Sequence, residues 1–258
     1  MASSSSTTVN EIAHEFLPSL RVYKDGRVER YVGTEVAPAS VDPTAGVQSK
    51  DIKIVPDIEA NIIVVSVNYR LAPEHLLPVA YEDSWVAVKW VASHFKGDGQ
   101  EPWLKDYVDF DRVFFGGDSA GGNIAHNMAM RVGLGKLDAI RLVGLLLNHP
   151  FIWGEEPIGN EAVDINYKAR VDSFLRFVNP TSVGSDDPLM NPGVDPKLSS
   201  LGCTRVLICV AEKDPLRDRG LYYCEVLAKS GWKGKVENME AKGEDHVFHL
   251  INPLVKMQ

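Results

Sequence analysis

The 258-residue chain is poor in cysteine, in unbroken apolar runs and in clustered basic charge. Its three cysteines, Cys203, Cys209 and Cys224, are odd in number and lack metal-ligand spacing, which excludes a disulfide framework and a structural zinc site. Reduced, buried thiols fit them, so the expected location is cytoplasmic. No apolar run is long enough to cross a bilayer, which argues against a membrane protein. Lys and Arg number 27 against 35 Asp and Glu, and the net charge of −8 comes with no basic block. Nucleic acid is therefore not an expected partner, and no obligate protein partner is evident. Met1 to Thr8 have neither a basic flank nor an apolar core. A secretory leader does not look like that, and a disordered tail over residues 1–10 is expected. No internal repeat is present.

What is present centres on Val113-Phe114-Phe115-Gly116-Gly117-Asp118-Ser119-Ala120-Gly121-Gly122-Asn123. An apolar strand runs into a Gly-rich turn, and a helix is expected from Asn123 to Arg131. Gly117-x-Ser119-x-Gly121 in that context is the pattern of a nucleophile elbow. Serine on a sharp strand-to-helix turn is held in a strained backbone, and Gly117, Gly121 and Gly122 remove Cβ clashes around it. The helix N-terminus then offers N–H groups, Ala120 first, to a developing oxyanion. Asp118 is expected to brace the turn.

Elsewhere, Leu20–Tyr23 and Val28–Tyr31 flank Asp25-Gly26 and read as a hairpin. Residues 36–44 read as a loop and 49–55 as an edge strand. Asn61 to Tyr69 is a near-continuous β-branched run, the signature of a strand buried on both faces. Apolar spacing predicts a helix over 81–95, and 98–109 reads as a loop. Strands are expected at 140–147, 205–210 and 235–239, with a helix at 222–230. Residues 151–196, rich in Pro, Gly and Asp with a helical stretch at 167–177, read as a cap over a site. The alternation implies one α/β domain over 11–258 with a mostly parallel sheet.

A hydroxyl nucleophile needs a base, and the base needs an orienting acid. Sites in such sheets lie beyond the strands' C-terminal ends. Asp214 ends one strand and His246 follows the last. The order Ser119, Asp214, His246 is that of α/β-hydrolase triads. Asp218 rivals Asp214, and His249 rivals His246, although His249 is expected to face away. His75, His126 and His149 read as structural, and His14 and His94 as surface residues. Glu155-Glu156 and Asp186-Asp187 read as solvated loop charge.

Tyr69-Arg70-Leu71-Ala72-Pro73-Glu74-His75, Tyr81-Glu82-Asp83-Ser84-Trp85, Gly117 to His126, Gly184 to Pro192 and Gly243 to Phe248 resemble the plant carboxylesterase family. This is the hormone-sensitive-lipase-like branch of the α/β-hydrolases. The resemblance runs along nearly the whole chain. It implies an α/β-hydrolase fold, a Ser119-Asp214-His246 triad, and hydrolysis of small carboxylic esters through an acyl-enzyme without metal or cofactor. It leaves open a dehydratase, or a ligand-binding member akin to the gibberellin receptors. His246 argues against the latter, which lack the triad histidine.

The chain departs from that family in one respect. Relatives carry a His-Gly-Gly-Gly-type segment that supplies two oxyanion N–H groups, and no such segment occurs here. Lys53-Ile54-Val55-Pro56 passes to Glu59-Ala60-Asn61 as if several tens of residues, including a central strand, were deleted. Relatives also continue past the position of Gln258 with a helix. The expectation is a native-like half holding the triad, impaired activity, and Asn61–Val67 either pairing with Val113–Phe115 or leaving backbone unpaired.

Overall fold

The computed structural model describes residues 11–32, 34, 41–42, 47–48, 63–97, 99–135 and 137–251. The expected disordered tail, the edge strand at 49–55 and most of the loop at 36–44 lie outside them. The chain divides into two compact units, Met1–Asn61 and Ile62–Gln258.

In the first unit, β1 (Ile12–Phe16), β2 (Leu20–Tyr23) and β3 (Val28–Arg30) form an antiparallel sheet in that order. Gly26 at φ +89° makes the β2–β3 turn, as Asp25-Gly26 predicts. A short ladder joins β4 (Val41–Asp42) to β5 (Val47–Gln48).

The second unit is built on a parallel sheet of β6 (Val113–Asp118), β7 (Leu142–Asn148), β8 (Arg205–Ala211) and β9 (Lys235–Ala241), in sequence order. Register pairs Phe115 with Leu145 and Leu145 with Val206, so one face carries Phe115, Leu145 and Val206, then Leu147 and Ile208. Helices α3 (Ala120–Gly135) and α6 (Arg217–Lys229) press Ala125, Ala129, Val132, Tyr223 and Leu227 into that face. A buried polar pair, Tyr223 Oη and His126 Nδ1, 2.8 Å apart, lies between these two helices. The opposite face stays open: Phe114, Leu146 and Leu207 are 63%, 43% and 38% exposed.

That open face goes with the main correction to the sequence reading. Residues 63–69 form no strand, and Val64 is 79% exposed. Among the described residues β6 bonds only to β7. A β-branched run becomes a buried strand only where a neighbouring edge and covering layers accept it, so context overrides propensity here. Two smaller corrections follow. Within the expected loop at 98–109, Pro102–Asp106 forms α2, capped by Glu101 accepting from Trp103 N at 3.0 Å. His94 is buried rather than at the surface; its ring bridges Trp90 O (2.8 Å) and Glu101 N (3.1 Å).

The cap region holds α4 (Asn160–Val163) and α5 (Ile165–Val178). Asp164 caps the N-terminus of α5, its side chain accepting from Tyr167 N. Buried Asn123 at the start of α3 donates to Phe151 O (3.0 Å) and Leu189 O (2.8 Å) and accepts from Tyr81 Oη of α1 (Val79–Ser93) at 2.7 Å. One amide thereby joins α1, the elbow helix and both ends of the cap. A buried ion pair, Arg219 to Glu161 at 2.6 Å, joins α6 to α4.

Burial holds the His126 imidazolium down to about 4, from 6.5. In that window the unfolded chain binds a proton that the folded chain does not, so stability falls as pH falls from 6.5 toward 4. The expected loss is about 3 kcal/mol. Urea unfolding of wild type and His126→Gln across that range will show it: the wild-type stability falls more steeply than that of the variant.

Candidate active site

β6 ends at Asp118 and α3 begins at Ala120, which leaves Ser119 alone on the turn. Its φ is +52°, a left-handed conformation for a residue with a Cβ. Three backbone bonds over-determine it: Ser119 N donates to Asn148 O (2.9 Å), and Ser119 O accepts from Phe151 N (2.9 Å) and Asn123 N (3.2 Å). Glycine is required beside it for space. A Cβ on Gly117 would lie 2.3 Å from the Gly121 carbonyl carbon, and one on Gly122 would lie 3.1 Å from Gly117 O. Gly121, by contrast, faces open space.

β8 ends in the turn that carries Asp214, and β9 leads through Gly243 (φ +74°) to His246. These two loops are tied together by Lys213 N donating to Glu244 O (2.9 Å) and Gly243 N to Glu212 Oε2 (2.7 Å). The structure brings Ser119, His246 and Asp214 together. His246 Nε2 lies 3.1 Å from Ser119 Oγ, and its Nδ1 lies 2.8 Å from Asp214 Oδ2. Asp218, the rival acid, instead pairs with Arg217.

Asp214 is 1% exposed. Burial pushes its carboxyl up. The His149 and His246 N–H groups, the nearby His246 charge and Leu216 N–H more than offset that and hold it at about 2. An ionised Asp214 keeps the proton of a neutral His246 on Nδ1, so Nε2 faces the serine as a base. The Asp214 charge also helps hold the Tyr167 hydroxyl of the cap up at about 12, after burial.

Two histidines do more here than the sequence suggests. His149, at the end of β7, places Nδ1 2.9 Å from Asp214 Oδ2. His249 does not face away: its Nε2 lies 2.9 Å from Asp118 Oδ1, joining the base loop to the elbow. The signal for both was position, at or just after strand C-terminal ends. The nitrogens of His149 and His246 and the Asp214 oxygen lie within 4.8 Å of one another, close enough to hold a metal ion. In this structure they are joined through protons, which a metal would have to displace. Asp186 and Asp187, read as solvated charge, instead brace the cap loop by accepting from Asn191 Nδ2 and Leu189 N.

With the geometry in hand, similarity to known proteins fixes the class. Residues 58–250 match the α/β-hydrolase fold family, and the chain belongs to it. Within that fold, plant carboxylesterases are among its relatives. It is 43% identical to "Probable carboxylesterase 2" of Arabidopsis thaliana, over 96% of this chain and 93% of that protein. It is 40% identical to 2-hydroxyisoflavanone dehydratase of Glycyrrhiza echinata, over 98% of this chain and 95% of that protein. These alignments span 297 and 311 positions, more than the chain has residues, so the relatives carry stretches with no counterpart here. A thermostable carboxylesterase cloned from a metagenomic library is similar in structure, at TM-score 0.59 and 28% identity, over 72% of this chain and 61% of that one. An esterase from Pyrobaculum calidifontis gives 0.57 and 27%, over 72% and 58%. The chain thus spans about three fifths of the length of these solved structures.

The strain at Ser119 predicts a stability difference. Ser119→Gly relieves the left-handed φ, whereas Ser119→Ala keeps a Cβ there. The glycine variant is expected to be more stable than the alanine variant by about 1 kcal/mol, after the entropy cost of glycine. Urea denaturation of the two variants measures this directly.

Proposed function

We propose that the chain hydrolyses small carboxylic esters through an acyl-enzyme on Ser119. One observation carries the reading: a single imidazole, His246, touches the hydroxyl with one nitrogen and a buried carboxylate with the other. Ser119 Oγ attacks the ester carbonyl while His246 Nε2 takes its proton. Asp214 holds the tautomer and stabilises the imidazolium that forms. The imidazolium then returns the proton to the departing alkoxide, and water repeats the sequence to release the acid. Ala120 N–H, at the head of α3, serves the oxyanion, with Gly117 and Gly122 leaving room for the elbow and Asp118 beside it held by His249.

The His-Gly-Gly-Gly-type donors expected from the family are absent from the sequence, and each lost donor costs about 10²–10³ in rate. The reaction is therefore slow for its class. Small esters of plant metabolites or xenobiotics, held under the 151–196 cap, are the proposed substrates. No metal, cofactor, nucleic acid or membrane has a part in this chemistry, and the proposed compartment is the cytoplasm. Among the described residues no helix is long and apolar enough to cross a membrane. A second reading, dehydration of a hydroxylated small molecule with His246 as base, is supported by the similarity to 2-hydroxyisoflavanone dehydratase.

Hydrolysis of nitrophenyl acetate and butyrate by purified protein, beside Ser119→Ala, tests the proposal. Turnover above background in wild type and none in the variant is the expected result. Equal rates in the two, from folded protein, would remove the esterase reading and leave dehydratase or ligand-binding use of the site.

A further inference from the structure

We infer that His149 is a positioning residue of this site: a second imidazole that holds the Asp214 carboxylate in the orientation His246 requires. The inference rests on the serine-hydrolase reading above and deepens it. Asp214 is buried and accepts three donors. Oδ1 takes Leu216 N at 2.8 Å; Oδ2 takes His246 Nδ1 at 2.8 Å and His149 Nδ1 at 2.9 Å. The terminal torsion of an aspartate is soft, so a carboxylate turns unless both oxygens are engaged. Two donors on Oδ2 and one on Oδ1 fix it. If His149 is removed, the oxygen that orients His246 has His246 itself as its remaining imidazole donor, so nothing independent of the base holds it.

His149 is built to do this. It is 2% exposed. Its φ is +46°, its N–H donates to Cys209 O at 2.8 Å, and Pro150 follows it. The rings of His246, Phe248 and His249 lie 5.5, 5.8 and 5.6 Å from its own. Its Nδ1 also lies 3.3 Å from Val247 N. A neutral imidazole nitrogen cannot donate and accept at once. The shorter contact, to an ionised carboxylate, sets the proton on Nδ1. A histidine kept only for packing would need no such tautomer.

Imidazole ¹⁵N NMR of the wild-type protein gives the first test. The Nδ1–H tautomer of His149 is expected; the Nε2–H tautomer overturns the inference. The second test compares His149→Phe, which keeps volume without a donor, with His149→Asn, which restores an N–H near the Nδ1 position and tolerates positive φ. Both are first checked for a cooperative melt. For the Phe variant, kcat on a nitrophenyl ester is expected to fall at least about tenfold, with KM within about twofold. The Asn variant is expected to stay within about threefold of wild type. Equal losses in both would assign His149 to packing and overturn the inference. If wild type shows no Ser119-dependent turnover, the esterase reading fails, and the tautomer measurement alone decides whether His149 holds Asp214. If the Phe variant does not fold, the tautomer and the Asn variant decide it.

Discussion

A carboxylate buried to 1% exposure is the constraint on which the site depends. An unpaired charge there would protonate or unfold its surroundings. Asp214 stays ionised because Leu216 N, His149 and His246 all donate to it. Those donors come from the head of α6, the end of β7 and the loop after β9. The sheet order β6-β7-β8-β9 brings the four C-terminal ends side by side and so allows the convergence. The same carboxylate engages Nδ1 of His246, which leaves Nε2 facing Ser119.

The second constraint is strain. Ser119 at +52° and His149 at +46° are both non-glycine residues in left-handed backbone, and both sit at strand ends beside the reacting groups. Such strain persists only where surrounding bonds over-determine it. The three backbone bonds at Ser119 and the Cys209 carbonyl at His149 supply them. The half of the sheet that carries the site is thus tightly held, while the Phe114 face is open and β6 is an edge among the described residues.

Much of this was legible in the sequence, for identifiable reasons. The elbow could be read because strand, glycines, serine and helix occur in an order few other structures need. That Asp214 and His246 would lie close to Ser119 could be read because both lie just past a strand. The strand expected over Asn61–Tyr69 is absent from its described part, 63–69, because burial needs covering layers as well as a free edge, and composition alone does not show whether those layers are there. His94 and His249 were misplaced because their surroundings are made by Glu101 and Asp118, seven and 131 residues away. The part His149 plays was hidden in the same way. A histidine before a proline at a strand end is unremarkable until a carboxylate 65 residues on turns out to lie 2.9 Å from it.

The central claim is that a relay of Ser119, His246 and Asp214 is assembled and reactive in this chain. Its most direct test is reaction with a dialkyl nitrophenyl phosphate, which phosphorylates activated hydroxyl nucleophiles, followed by peptide mass spectrometry to locate the adduct. The account predicts one adduct, on the peptide that contains Ser119, formed by native protein and lost in His246→Gln or after denaturation. No adduct on native protein, or the same adduct pattern in His246→Gln, would contradict it.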